Sequence, residues 1–364
     1  MRYATITGWG KCLPPAALSN DDLSTIMDTS DAWIVSRTGI HSRRIAHVST
    51  SQLAVVAAKH ALAAAGISAE QLDGIILATA SPDTLVPSAA AAVQRELGAS
   101  KAAVFDINAA CTGFIYGLSV GSALIKANSM QKVLVIGAER LTHYLDWTQR
   151  DTAVLFGDGA GAVVLEASDQ ALGLIADKLG CDSEASHILA VPDSGTNRTR
   201  FQHTDGLFAV NFEGKEIFKR AVKGMGEAAQ QALDQAQLSA QDIDLLLPHQ
   251  ANIRIIETLA KKMDFPLDKV MVNIADYGNT SAATVPIALC EALEQGRITP
   301  GALLLTAAFG AGLTWGAGVI RWGERVTPLG ISDATLPPCE QTALQLIAPA
   351  VAGCKAAQAK QDAQ

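Results

Sequence analysis

The sequence predicts an α/β protein built from two similar halves. Short, almost wholly apolar runs of strand length alternate with Ala-rich runs of helical length, the pattern of buried strands covered by helices. The order of strands and Gly-rich turns in the first half recurs in the second. With 364 residues, 49% of them apolar and 18% charged, the chain can bury a large core and is too apolar for a disordered protein.

Along the chain, "SQLAVVAAKHALAAAG" reads as a helix, with Ser51 as a candidate N-cap and Gly66 as a candidate C′ residue. "GIILATA" from Gly74, "AAVFDI" from Ala102, "KVLVIGAE" from Lys132 and "GAVVLEA" from Gly161 read as buried strands. The series "IDLLLPHQA", "VMVNIADYGNTSAATVPIALCEAL", "GALLLTAA" and "FGAGLTWGAGVIRW" repeats that plan later in the chain. "ACTGFIYGLSVGSAL" then falls opposite "GNTSAATVPIALCEAL", and "FGDGAGAVVL" opposite "FGAGLTWGAGVI". Halves at 1–170 and 171–323 follow, with an appendage at 324–364 that starts as a turn-rich connector and ends as a polar, Ala-rich tail. If the halves pack face to face, polar residues at equivalent strand ends converge on one shared site.

Composition narrows the function. A net charge of −8 argues against general nucleic-acid binding. No apolar run approaches the roughly twenty residues that a bilayer requires. The start "MRYATITGWGKCLPP" lacks the features of a secretory signal, so the cytoplasm is expected. Six cysteines without close pairs match neither a disulfide framework nor a zinc site.

Cys111, in "DINAACTGFIYG", lies between a strand-like and a helix-like run. A helix N-terminus there would stabilise a thiolate, and the small neighbours Ala109, Ala110 and Gly113 would admit a bulky thioester. A buried packing cysteine accounts for the position equally well. His249 follows the apolar run "DLLLP" at a strand end, where a satisfied structural histidine is the competing explanation. Asn279 sits in a Gly-flanked turn opening a helix, and capping alone explains a lone asparagine there. The half-to-half alignment brings Asn279 near the level of Cys111. "FGDGAGAVV" runs into a strand rather than a helix, so it reads as a tight turn and not a dinucleotide loop. The spacing of Cys111, His249 and Asn279 fits no metal site.

From Tyr3 to Trp322 the chain resembles the β-ketoacyl-acyl-carrier-protein synthase III family, condensing enzymes of the thiolase superfamily. "DTSDAWIVSRTGI", "AACTGF", "FGDGAGA", "PHQANIRII", "GNTSAA" and "FGAGLTWG" carry the resemblance, in that order. It implies a thiolase-like fold, two duplicated α/β halves forming a five-layer αβαβα sandwich, and a homodimer. It implies a decarboxylative Claisen condensation of acyl-CoA, acetyl-CoA or a longer primer, with malonyl-acyl carrier protein. The product is 3-oxoacyl-carrier protein, which initiates fatty acid synthesis, and acyl-CoA is a substrate, so no cofactor or metal is implied.

Residue by residue, the resemblance gives Cys111 as nucleophile, with N–H donors from His249 and Asn279 for the enolate. The backbone N–H groups of Cys111 and Ala311 form the oxyanion hole, Ala311 standing where relatives usually carry glycine. Trp33, Arg37, Arg150 and Asn252 correspond to coenzyme A contacts. Packing for Trp33 and ordinary surface charge for the arginines are the plain readings of those residue types alone. Lys219, Arg220, Arg254, Lys261 and Lys262 form a cationic cluster on an acidic chain; among them Lys219, Arg254, Lys261 and Lys262 are expected to dock an acidic carrier protein, a solvated helix face being the alternative. Val86 and Phe309 are expected at the acyl pocket, where Val86 replaces a residue that is often larger. A condensing enzyme of specialised metabolism with an unusual primer is the alternative within this chemistry. A non-catalytic partner subunit is disfavoured because such chains lack the nucleophile that Cys111 supplies.

Overall fold

The computed structural model describes residues 2–192, 196 and 209–363. Its main elements, in order, are β1 (Tyr3–Cys12), α1 (Asp31–Thr38), α2 (Thr50–Ala65), β2 (Gly74–Ala78), β3 (Ala103–Ile107), α3 (Gly113–Lys126), β4 (Lys132–Arg140), β5 (Asp158–Ser168) and β6 (Gly173–Cys181). There follow α4 (Gly214–Ala236), β7 (Leu245–Pro248), α5 (Ile253–Lys262), α6 (Thr284–Glu294), β8 (Leu303–Gly310), β9 (Thr314–Arg321) and α7 (Ala343–Asp362).

The nine strands form one mixed sheet in the order β7-β8-β9-β6-β1-β5-β4-β2-β3. Split between β6 and β1, the sheet has two matching halves. The first runs β1-β5-β4-β2-β3 from the seam, and the second runs β6-β9-β8-β7. The second half's counterpart of β3 is reduced to one parallel bridge, Val270 opposite Leu246. At the seam β1 and β6 meet through a single parallel pairing, Ala4 with Gly173. The duplicated order of the sequence is therefore a duplicated sheet topology.

Why these runs become strands follows from which faces they bury. Ile75, Leu77, Leu134, Ile136, Ala162 and Val164 face α2, whereas Ile76, Val133, Val135, Val163 and Leu165 face the opposite way. That inner face meets Phe114, Leu118 and Ile125 of α3 and Val285, Ala288 and Leu289 of α6. Leu245, Leu247, Leu304 and Ile320 close the same cluster from the second half. Leu246, Leu305 and Val319 point outward to α4 and α5. The result is five layers: α2, half-sheet, α3 with α6, half-sheet, α4 with α5. Strands β2, β4, β7 and β8 are buried almost throughout, on both faces, which is why their runs are continuously apolar rather than alternating, whereas the terminal β3 is only partly buried. Each such buried aliphatic side chain contributes on the order of 2 kcal/mol.

Two local expectations change. The N-cap of α2 is Ser49, which forms a capping box with Gln52; the Ser51 N–H instead donates to Asp83. Gly66 closes the helix at φ 72°, in the left-handed region that favours glycine. The 324–364 segment does not hang free. Its connector lies along α2, where Leu329 N donates to Ala64 O, and Ala343, Ile347, Val351 and Cys354 of α7 pack with Leu145 and Trp147. Those positions recur at helical spacing, so an Ala-rich tail still presents one apolar stripe.

Candidate active site

Two turns, one from each half, meet at the junction of the half-sheets. In the first, β3 ends at Ile107 and a short 3-10 turn, Ala110–Thr112, leads into α3. In the second, another 3-10 turn, Ser281–Ala283, leads into α6. Each turn begins with a non-glycine residue in the left-handed region, Ala110 at φ 46° and Ser281 at φ 50°, a conformation that costs about 1–2 kcal/mol. Each is preceded two residues earlier by an asparagine whose Oδ1 accepts that residue's N–H, Asn108 for Ala110 and Asn279 for Ser281. The structural partner of Asn279 is thus Asn108, three residues before Cys111, rather than the cysteine itself.

Cys111, His249, Asn279, Phe309 and Ala311 line a cavity of about 1160 Å³, together with Trp33, Arg37, Lys219, Asn252 and Arg254. The first three are buried, whereas Arg37, Lys219 and Arg254 are exposed, which sets the polar triad at the floor and the basic groups at the mouth. Cys111 is 8% exposed. Burial pushes its thiol up to about 12; the Ser281 hydroxyl opposes the rise and the Glu139 charge adds to it. Desolvation of the buried sulfur thus opposes the thiolate that its position ahead of a helix favours.

His249 follows β7, and its backbone N–H donates to Ala307 O at 2.8 Å. Its Nδ1 lies 2.7 Å from Thr284 Oγ1. Burial pulls the imidazole down to about 3, so it is neutral near pH 7. Asn279 is clasped from both sides: its N–H donates to Leu155 O at 2.8 Å and its carbonyl accepts from Gly157 N at 3.1 Å. The "FGDGAGA" turn thereby holds the asparagine of the other half.

Gly310 allows the close approach of β8 to Cys111. A Cβ there would stand 2.7 Å from the Cys111 amide nitrogen. Thr314 ties the same corner together, its Oγ1 lying 2.9 Å from Ala109 O, 3.1 Å from Ala311 O and 2.9 Å from Thr112 Oγ1.

At the mouth two guanidiniums stack on the Trp33 indole, Arg37 at 4.4 Å and Arg150 at 4.6 Å from the ring centre. Arg150 does not itself line the cavity; it also donates to Asp28 O. Asn252 caps α5 by accepting from Arg254 N and donates to Arg37 O, joining α5 to the end of α1. Arg254 donates to Ser36 O. Lys261 and Lys262 lie at the far end of α5, off the cavity, and Arg220 is paired with Asp182 and Glu216. Val86 is 82% exposed on its own loop and does not reach the cavity of this chain.

Sequence reasoning missed Glu139, Ser281, Thr284 and Thr314. Glu139 is fully buried and accepts from Ala80 N, Thr79 Oγ1, Ser81 Oγ and Ser281 Oγ. Burial raises its pKa against the pull of these four donors. A charged residue ending the apolar run "VLVIGAE" was the available signal. Among the described residues, no group of three His, Cys, Asp or Glu side chains could hold a metal ion, and no helix is long and apolar enough to cross a membrane.

Comparison with known proteins gives a consistent picture. Residues 105–183 match the family described as 3-oxoacyl-[acyl-carrier-protein (ACP)] synthase III, and residues 233–322 match its C-terminal part. The chain is 64% identical over 353 residues to beta-ketoacyl-[acyl-carrier-protein] synthase III 2 of Vibrio cholerae serotype O1, covering 97% of this chain and 98% of the relative. The crystal structure of 3-oxoacyl-[acyl-carrier-protein] synthase III from Aquifex aeolicus VF5 superposes with a TM-score of 0.83 at 44% identity, covering 88% of this chain and all of that one, 100%. The priming β-ketosynthase of the R1128 polyketide biosynthetic pathway superposes with a TM-score of 0.81 at 32% identity, covering 89% of this chain and 97% of that one.

Proposed function

This chain belongs to the 3-oxoacyl-[acyl-carrier-protein] synthase III family of thiolase-like condensing enzymes, and from that membership we propose that it joins an acyl group from coenzyme A to malonyl-acyl carrier protein. It is an acyltransferase of lipid metabolism; the substrates and residue roles that follow are our reading. The observation that carries it is one buried thiol on the floor of a basic-mouthed cavity, beside an imidazole and a carboxamide.

In the first half-reaction the Cys111 sulfur forms a bond to the acyl carbon, the bond from that carbon to the coenzyme A sulfur breaks, and the thiol proton ends on the departing coenzyme A. The tetrahedral oxyanion is held by the N–H groups of Cys111 and Ala311. In the second, malonyl-carrier protein loses carbon dioxide, and the electron pair left behind becomes an enolate whose oxygen faces His249 and Asn279. Its carbon attacks the acyl thioester, the Cys111 sulfur leaves, and one proton from solvent restores the thiol. Splitting one difficult step into two lowers the overall barrier. Each donor to a developing oxyanion contributes about 3 kcal/mol.

Trp33, Arg37, Arg150 and Asn252 are proposed to hold coenzyme A, one arginine swinging off the indole so that a planar base can take its place. Lys219, Arg254, Lys261 and Lys262 are proposed to dock the acidic carrier protein. The terminal strand β3, with no neighbour on its outer side among the described residues, supports pairing with a second copy. Phe309 then lines the acyl pocket directly, and Val86 would contribute to it only where a partner copy packs its 84–88 loop against the cavity. The polyketide priming β-ketosynthase among the neighbours favours a second reading, an unusual primer for specialised metabolism.

Mass spectrometry of the intact protein after incubation with acetyl-, butanoyl- and octanoyl-CoA tests both readings. One acyl adduct, absent from Cys111→Ala and discharged by malonyl-carrier protein with release of a 3-oxoacyl product, is expected. Absence of any adduct would refute the proposal, and the chain length of the fastest adduct decides between the two readings.

A further inference from the structure

In the first half β2 and β3 pair residue by residue, from Gly74 with Ala103 to Ala78 with Ile107, and that ladder carries the chain to Asn108 and Cys111 at the cavity. The second half reduces the corresponding strand to a bridge, Leu246 opposite Val270, with Met271 N donating to Leu246 O at 2.9 Å. Two residues further along the same edge β7 has Pro248, which has no N–H to continue the pairing. A side chain fills the break. Buried Gln250 donates from Nε2 to Pro248 O at 2.9 Å and to Met271 O at 3.1 Å, and its Oε1 accepts the Asn273 N–H at 3.0 Å. Its carboxamide stands where a peptide unit of the ladder would. Asn273 extends the hold: its Nδ2 donates to Glu291 Oε2 at 2.9 Å, and Glu291 Oε1 accepts from Tyr277 Oη at 2.6 Å and from Lys11 Nζ at 3.0 Å. Glu291 is buried on α6, the helix that follows Asn279 and its turn.

We propose that Gln250, Asn273 and Glu291 are positioning residues that set the spacing between His249 and Asn279, and so serve decarboxylation rather than the loading of Cys111. His249 is held inside the second half, its N–H on Ala307 O of β8, whereas the clasp of Leu155 and Gly157 ties Asn279 to the first half. That clasp alone leaves the separation of the two side chains to the packing between halves. The segment from Met271 to Tyr277, braced to the strand end at His249 and to α6, fixes it within one half. None of the three bracing residues lines the cavity, so their influence on the reaction passes through the two that do. The inference rests on the proposed reading that His249 and Asn279 serve the second half-reaction.

A double-mutant cycle on the whole protein tests it. Each enzyme is acetylated with acetyl-CoA, the adduct on Cys111 is counted by mass spectrometry, and malonyl-acyl carrier protein is then added while carbon dioxide release per adduct is timed. Gln250→Met is close in size but offers neither the donors nor the acceptor. It is expected to load within about threefold of the wild-type rate and to release carbon dioxide about 10- to 100-fold more slowly, the order that a displacement of about 1 Å produces from a distance. In an Asn279→Ala background the same substitution should cost less than about threefold, because the group that it positions is gone. Unchanged carbon dioxide release in Gln250→Met, an equal fall in loading, or a full second loss on top of Asn279→Ala overturns the inference. Should Gln250→Met not fold, Glu291→Gln, which keeps the size and gives up one acceptor, takes its place in the same cycle. Wild-type protein that takes no acyl group or releases no carbon dioxide refutes the functional reading itself, and the inference falls with it.

Discussion

Burial governs the chemistry of individual groups at this site. A cysteine before a helix suggests a ready anion, but enclosure by apolar and neutral groups makes the charged form costly, and the thiol is pushed up to about 12. The thiolate fraction below that value grows tenfold with each pH unit, whereas an unperturbed thiol levels off above about pH 9. Alkylation of Cys111 by iodoacetamide should therefore still climb about tenfold per unit between pH 8 and 10, as read by mass spectrometry of the modified peptide, and excess acyl-CoA should suppress it. A plateau near neutrality would mean that the sulfur is stabilised as an anion. Cys111, His249 and Asn279 were legible because a thiol, an imidazole and a carboxamide stood at strand or turn ends within specific motifs. Glu139, Ser281 and Thr284 were not. Serine and threonine at a helix start look like caps in any sequence, and only three-dimensional proximity reveals that the Ser281 N–H is held by Asn279 and that the Thr284 hydroxyl lies against His249.

At the level of elements, β8 approaches the Cys111 amide so closely that a methyl group has no room. Gly310→Ala would put a carbon 2.7 Å from Cys111 N, against backbone that cannot swing aside. Acyl loading should drop by about 100-fold or more, the order expected when an oxyanion donor is displaced, with helical circular dichroism retained. Loading at the wild-type rate would remove Cys111 N–H from the oxyanion hole. The runs of β2, β4 and β7 were readable because both their faces are buried, which makes them continuously apolar. The repeat was readable because the same strand order was used twice. The register between repeats was less so: Cys111 and Asn279 came close in the alignment, but the turn geometry pairs Asn279 with Asn108. The helix start was also one cap early, since serines at 49 and 51 look alike until Asp83, distant in sequence, claims one of them.

Across the whole molecule, the segment after Trp322 is a strap that crosses α2 and ends in a helix seated beside Trp147, which is fully buried. Composition alone did not reveal this, because alanine contributes little to a hydrophobic pattern and the stripe rests on only a few larger side chains. Ile347 is 4% exposed in that contact. Ile347→Asp would place an unpaired carboxylate there and should cost on the order of 3 kcal/mol, lowering the thermal midpoint by several degrees. No described residue of α7 lines the cavity, so acyl loading per folded molecule should persist; equal loss of both would tie the tail to catalysis. A different consequence follows from the meeting of the two turns. The sulfur belongs to the first half of the polypeptide and the imidazole and carboxamide to the second, so the floor of the cavity comes into being only after both halves have been made and have met.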